Sequence, residues 1–151
     1  MIMPADPLML QTASFFCLLA AVAVCDIRQR EIPDWLQLGL AALSLLDFSL
    51  ENLLGICIAV PYLMTALIPG NSEGIGGGDI KLAGSTGLVL GLPAALAASV
   101  LGLTAFIVFG SGHYALKRFQ GRKEKTSFPL GPFLAAGCIC AYYFKMKGWI
   151  Y

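Results

Sequence analysis

Residues 8–25 contain no charged side chain. Eighteen residues wound as an α-helix span about 27 Å, close to the hydrocarbon thickness of a bilayer. Similar runs recur at 35–46, 53–68, 80–92, 93–116 and 128–144, separated by short polar or glycine-rich connectors. Composition closes off the other classes. Hydrophobic residues make up 58% of the 151 and charged residues 13%, where a soluble domain is about a quarter charged. There is too little polar surface to clothe a soluble core, and the chain is too apolar to remain solvated as a disordered one. The expectation is a single domain over 1–151, an all-α polytopic membrane helix bundle of about six transmembrane helices.

The positive charges orient that bundle. If the N-terminus lies outside, the first, third and fifth connectors are cytoplasmic and carry Arg28, Arg30, Lys81, Lys117, Arg118, Arg122, Lys123 and Lys125. The remaining two, Lys145 and Lys147, follow the last run. This bias predicts an N-terminus outside in the cell (cytoplasmic) membrane. The first run is expected to be a retained span, because no Lys or Arg precedes it and Val24 is too large to precede a lipoprotein-type cysteine. The basic cluster 117–125 is a topology determinant able to touch anionic lipid. Pro61 is expected to kink the third run, and the fourth, with only 13 residues and Lys81 among them, is short enough to need shelter from other helices.

Net charge is +1, so no basic surface points to nucleic acid. The five cysteines form no CxxC pair; they read as small apolar filler, and no metal or organic cofactor is expected.

Acidic residues carry the chemistry. Asp26 and Asp34 flank the first connector, and Asp79 ends the glycine run of the third, so all three fall on one side. Ionisable groups near membrane depth are costly and read as functional. Two carboxylates held close share a proton, so that one acts as base toward water while the other protonates a leaving amine. The run Gly76-Gly77-Gly78-Asp79-Ile80-Lys81 gives the backbone freedom for positive φ or close approach, and puts a carboxylate at a helix start. The helix ends are expected to distinguish the acids: Asp79 meets free N–H groups and nearby Lys81, whereas Asp26 meets helix carbonyls and holds the shared proton at rest.

Other features have plain readings. Ser111 and His113, two apart on a helix, point in different directions and cannot form a nucleophile and its base. Gly87 and Gly91 have the spacing of close helix packing. A proton-coupled transporter would also use buried acids and a glycine-broken helix, but the chain shows no repeat of its halves. A non-catalytic assembly subunit would have no need for both acids.

Three motifs in order resemble the type IV prepilin peptidases, aspartic enzymes of the GxGD class, in their short form. They are Asp26-Ile-Arg-x-Arg-x-Ile-Pro-Asp34, then Gly76-x-Gly78-Asp79-x-Lys81 followed by Leu82 and Ala83, and Phe128-Pro-Leu-Gly131-Pro132-Phe133 at the last run. The resemblance implies an aspartic endopeptidase with Asp26 and Asp79 as the catalytic pair. Gly76, Gly78, Lys81 and Asp34 are implied to support the site or bind substrate, Asp34 in a polar structural role. It implies type IV pilin-like precursors as substrates, cut after a glycine preceding their hydrophobic helix at the cytoplasmic membrane face, without a cofactor. Presenilin-like GxGD proteases fit less well, because they place the first Asp inside a span after Tyr, whereas Asp26 follows Cys25. Many members also carry an N-terminal region with paired CxxC motifs tied to N-methylation; the motifs are not found here, so methyltransferase activity is not expected.

Overall fold

The computed structural model describes residues 7–68, 76–119 and 128–150. Seven α-helices follow one another there: α1 Pro7–Gln29, α2 Asp34–Leu43, α3 Leu50–Leu54, α4 Ala59–Ala66, α5 Gly77–Leu90, α6 Leu92–Phe119 and α7 Gly131–Met146. Turns of 3₁₀-helix, Ser44–Asp47 and Gly55–Ile58, extend α2 and join α3 to α4. Among the described residues there is no strand. The all-α expectation holds.

Two helices are by themselves long and apolar enough to cross a membrane, over Met9–Gln29 and Leu92–Phe119. The first fits the charge-free run from residue 8, continued one turn past Asp26. α6 turns Leu96, Val100, Ile107 and Val108 outward. Its 28 residues make about 42 Å of helix. A helix apolar on its exposed side is what a bilayer, rather than water, permits.

The second and third runs are more broken than expected. Proline at 61 lies inside α4 and does not end it. Its missing N–H and its ring act on the turn before, and there the backbone tightens to the 3₁₀ segment Gly55–Ile58.

α5 is the axis of the bundle. It packs against α2, α3, α4, α6 and α7, and Leu82, Ala83, Gly84, Ser85, Thr86, Gly87, Val89 and Leu90 are buried. This explains why 14 residues suffice: its sides meet protein, not lipid. Ser85 and Thr86 need no external partner, since both hydroxyls donate to Leu82's carbonyl one turn back, at 3.1 and 2.8 Å.

Small residues let the helices approach. A side chain at Gly87 would run into the Gly55 backbone, and one at Gly55 into the Gly87 carbonyl. Gly102 and Gly137 do the same for α6 and α7: a Cβ on Gly137 would lie 2.8 Å from the Gly102 nitrogen, and one on Gly102 2.9 Å from the Phe133 carbonyl. Gly91 adds a second role to the packing its spacing suggested, which the structure keeps, since a Cβ on Gly55 would lie 3.1 Å from the Gly91 carbonyl carbon. It caps α5 at φ +79°, a left-handed turn that sends the chain into α6.

The end of the bundle at the α5 C-terminus is closed by Lys145 of α7. Its ammonium donates to the Leu90 carbonyl at 2.9 Å and to Asn52 Oδ1 at 3.3 Å, and the Asn52 amide donates in turn to the Asp47 carbonyl at 2.9 Å. Along α1, Phe15 packs on the Tyr142 ring with centroids 5.2 Å apart, and the Thr12 and Tyr142 hydroxyls share a hydrogen bond of 2.9 Å. Of the five cysteines only Cys138 is buried; Cys17, Cys57 and Cys140 face outward, against the expectation of core filler.

Candidate active site

Four chain segments meet at the opposite end: the last turns of α1, the turn into α2, and the first turns of α5 and α7. Asp26 lies one turn before the end of α1 and is buried. The first N–H groups of a helix have no partner within it. At α7 one of them has a specific use, for the Gly131 N–H donates to Asp26 Oδ2 at 2.8 Å. Glycine is required there, because a Cβ on Gly131 would sit 2.5 Å from Oδ2 and 2.9 Å from Cγ of Asp26.

Asp79 is the third residue of α5 and is half-buried. Gly76 is the N-cap in extended conformation, φ −67° and ψ 150°. The Asp79 N–H donates to the Gly76 carbonyl at 3.0 Å, and Asp79 Oδ2 lies 3.7 Å from where a Cβ on Gly76 would project, so the side chain turns back toward the N-cap. The Asp26 carboxylate lies near enough for its charge to act on Asp79. The two acids, 53 residues apart in sequence, therefore share one end of the bundle.

Three sequence expectations change. Neither Gly76 nor Gly78 takes a positive φ; among the described glycines only Gly91 and Gly148 do. What glycine leaves instead is space: among the described residues nothing lies within 4 Å of where a Cβ on Gly77 would project. Lys81 does not turn to Asp79. Its ammonium pairs with Asp34 Oδ1 at 2.7 Å, both side chains being well exposed. The pair links the start of α2 to α5 from outside and agrees with a structural role for Asp34. Finally, Asp26, set by the helix-end argument against carbonyls, also receives the Gly131 N–H at 2.8 Å.

Two contributors were not singled out from the sequence. Gly131 was visible as part of the third motif, but its partner lies 105 residues away. Gln37 of α2 is buried and donates to the carbonyls of Ile32 at 3.4 Å and Gly78 at 3.3 Å. Ile32 itself lies against Gly78, with 3.5 Å between its Cβ and the position a Cβ on Gly78 would take.

Ser111 and His113 stay apart, as their spacing required. The serine hydroxyl donates to the Val108 carbonyl at 3.0 Å. The imidazole sits among aromatics, 4.7 Å from the Phe128 ring and 6.4 Å from that of Phe109. Of the basic cluster, Arg122, Lys123 and Lys125 lie outside the described residues. Among the described residues, no three His, Cys, Asp or Glu side chains gather as a set of metal ligands.

Chemically, the site is two carboxylates at the end of an apolar bundle, one steadied by a main-chain donor, the other in the first turn of a helix beside a glycine turn. Comparison with known proteins agrees with that chemistry. The model of the type IV leader peptidase family matches residues 13–111. A prepilin leader peptidase/N-methyltransferase of Bacillus subtilis (strain 168) is 35% identical over 136 residues, covering 85% of this chain and 53% of the relative. A protein of the same name from Xanthomonas campestris pv. campestris is 33% identical over 132 residues, covering 79% of this chain and 44% of its own. The chain thus spans about half the length of the curated relatives it matches. No solved structure matches.

Proposed function

The chain belongs to the type IV leader peptidase family, and on that premise we propose that it is a membrane-embedded aspartic endopeptidase that removes the leader peptide of type IV pilin-like precursors, with Asp26 and Asp79 as its catalytic pair. The observation that carries the reading is the placing of both carboxylates at one end of the bundle, Asp26 held by the Gly131 N–H and Asp79 in the first turn of α5.

The chemistry follows from two acids sharing a proton. The charged carboxylate draws a proton from water as it attacks the scissile carbonyl; the protonated one donates to the peptide oxygen and then to the departing nitrogen. The Gly131 N–H holds Asp26 without moving parts, which is how a site gains by preorganisation. The open space at Gly77 leaves room for a substrate main chain beside Asp79. The substrate's apolar helix lies in the bilayer against the outward apolar face, and its cleavage site emerges level with the acids. Lys81 and Asp34 brace the first turn of α5 rather than take part in proton transfer.

The bundle crosses the membrane several times, and the charge bias places the acids at its cytoplasmic face. α6 ends at Phe119, beyond Phe109, whose ring packs on Phe133 in the first turn of α7, and Glu51 lies by Gly91 at the other end. In a background without native cysteines, Phe119→Cys is expected to be shielded from an impermeant thiol reagent in intact cells and Glu51→Cys to be labelled. The reverse pattern would put the acids outside and contradict the proposal. The activity itself is tested by co-expression with pilin-like precursors, scoring the mass lost with the leader. Precursors left whole by an enzyme shown to be folded in the membrane would refute it.

A further inference from the structure

Gln37 is 5% exposed, and its amide is the polar bridge between the two segments that frame Asp79. One face of that bridge is the Ile32 carbonyl, in the peptide that opens α2; the other is the Gly78 carbonyl, in the peptide unit whose nitrogen belongs to Asp79. Two carbonyls can only accept, so the Nε2 hydrogens must point at them, and the orientation of the amide is fixed by its partners. The cost shows on the other atom: Oε1 is buried without a hydrogen-bond partner among the described residues. An unsatisfied buried acceptor is expensive. A leucine or methionine would fill the same space without that cost, so packing alone does not account for an amide here.

We propose that Gln37 is a positioning residue for Asp79, its buried amide locking the Gly78–Asp79 peptide to the Ile32–Pro33 turn and thereby setting where the Asp79 carboxylate stands relative to Asp26. This inference rests on the peptidase reading above. The bridge works with Ile32, which lies against Gly78, and lies inside the exposed Asp34–Lys81 pair that joins the same two helices. Of these links only the Gln37 bond reaches the main chain adjoining Asp79.

The test compares Gln37→Met and Gln37→Glu with Leu40→Ala, all purified in detergent beside the unmodified enzyme and Asp79→Asn, on one pilin-like precursor. The methionine variant keeps the length and removes the amide; the glutamate variant keeps the shape and loses the amino group. Leu40 lies one turn further along α2, fully buried in the core, so its truncation reports what loosening α2 does by itself. Misplacing a reacting group by a fraction of an ångström lowers turnover steeply. Both Gln37 variants are expected to lose about tenfold or more in kcat with KM within about twofold, whereas Leu40→Ala loses thermal stability but keeps kcat per folded molecule within about twofold. If Gln37→Met does not fold, Gln37→Glu carries the comparison alone. A kcat within about twofold of the unmodified enzyme in a folded Gln37 variant, or an equal loss in Leu40→Ala, would overturn the inference, while cleavage by the unmodified enzyme and its loss in Asp79→Asn leave the peptidase reading standing. No cleavage by the folded unmodified enzyme would overturn both.

Discussion

Gly131→Ala probes the contact on which the geometry of Asp26 depends. The added methyl carbon would sit 2.5 Å from Asp26 Oδ2, 2.9 Å from Cγ and 3.0 Å from Cβ. Ordinary contact distances require the two to part by about 1 Å. Gly131 does not hold a positive φ, so alanine meets no backbone strain, and the whole effect comes from the collision. Asp26 is buried and cannot swing into solvent; the strain is relieved by moving α7 from α1 or by rotating the carboxylate away from the Gly131 N–H. Overpacking of this kind costs about 1–3 kcal/mol, and displacing a reacting group by about 1 Å costs about a hundredfold in turnover. Thermal unfolding in detergent measures the first, and initial rates of precursor cleavage per folded molecule the second. Gly110→Ala is the control, since nothing lies within 4 Å of its Cβ position on α6; it is expected to be neutral or slightly stabilising through helix propensity. Gly131→Ala with normal stability and turnover would show that α7 does not hold Asp26.

Gly87→Ala places a methyl group against the Gly55 backbone, which cannot yield as a side chain can; a loss of at least about 2 kcal/mol is expected in thermal unfolding, and unchanged stability would refute the close approach. Lys145→Met strips a donor from the Leu90 carbonyl and from Asn52. It should cost about 1–3 kcal/mol in the same assay while leaving cleavage per folded molecule unchanged. Asp34→Asn breaks only an exposed ion pair; it should cost no more than about 1 kcal/mol and keep substantial cleavage, and abolished cleavage would move Asp34 into the chemistry.

What the sequence reveals and conceals here follows from the range of each interaction. The apolar runs dictate helices locally, so α1 and α6 stand close to where charge-free windows place them. Asp26 and Asp79 were legible because each sits in a compact motif whose neighbours, Ile32-Pro33 and Gly76 to Gly78, lie within a few residues. Gly131 was legible as a motif but not as a contact, because its reason for being glycine is an oxygen 105 residues earlier. Gln37 was invisible: a polar residue in an apolar run reads as an outward face until the carbonyls of Ile32 and Gly78 are seen around it. Lys81 was assigned to the nearer acid in sequence, whereas the turn of α5 carries its side chain to Asp34. Gly91 was half legible for a related reason, since a four-residue spacing says nothing of φ, and the turn into α6 needs it positive. The break at Ser44–Asp47 accompanies tertiary packing against α5, which periodicity does not register, whereas the one at Gly55–Ile58 falls in the turn before Pro61, where a kink was expected.

The most direct test of the central claim is cleavage of a co-expressed pilin-like precursor by Asp26→Asn and by Asp79→Asn, read as the mass of the precursor recovered from membranes. Each substitution keeps the size of the side chain and removes one half of the acid and base pair. Both variants are expected to insert in the membrane in normal amounts and to leave the precursor at full mass, while the unmodified enzyme removes its leader. Full cleavage by either variant would show that the two carboxylates meeting at this end of the bundle are not the catalytic pair.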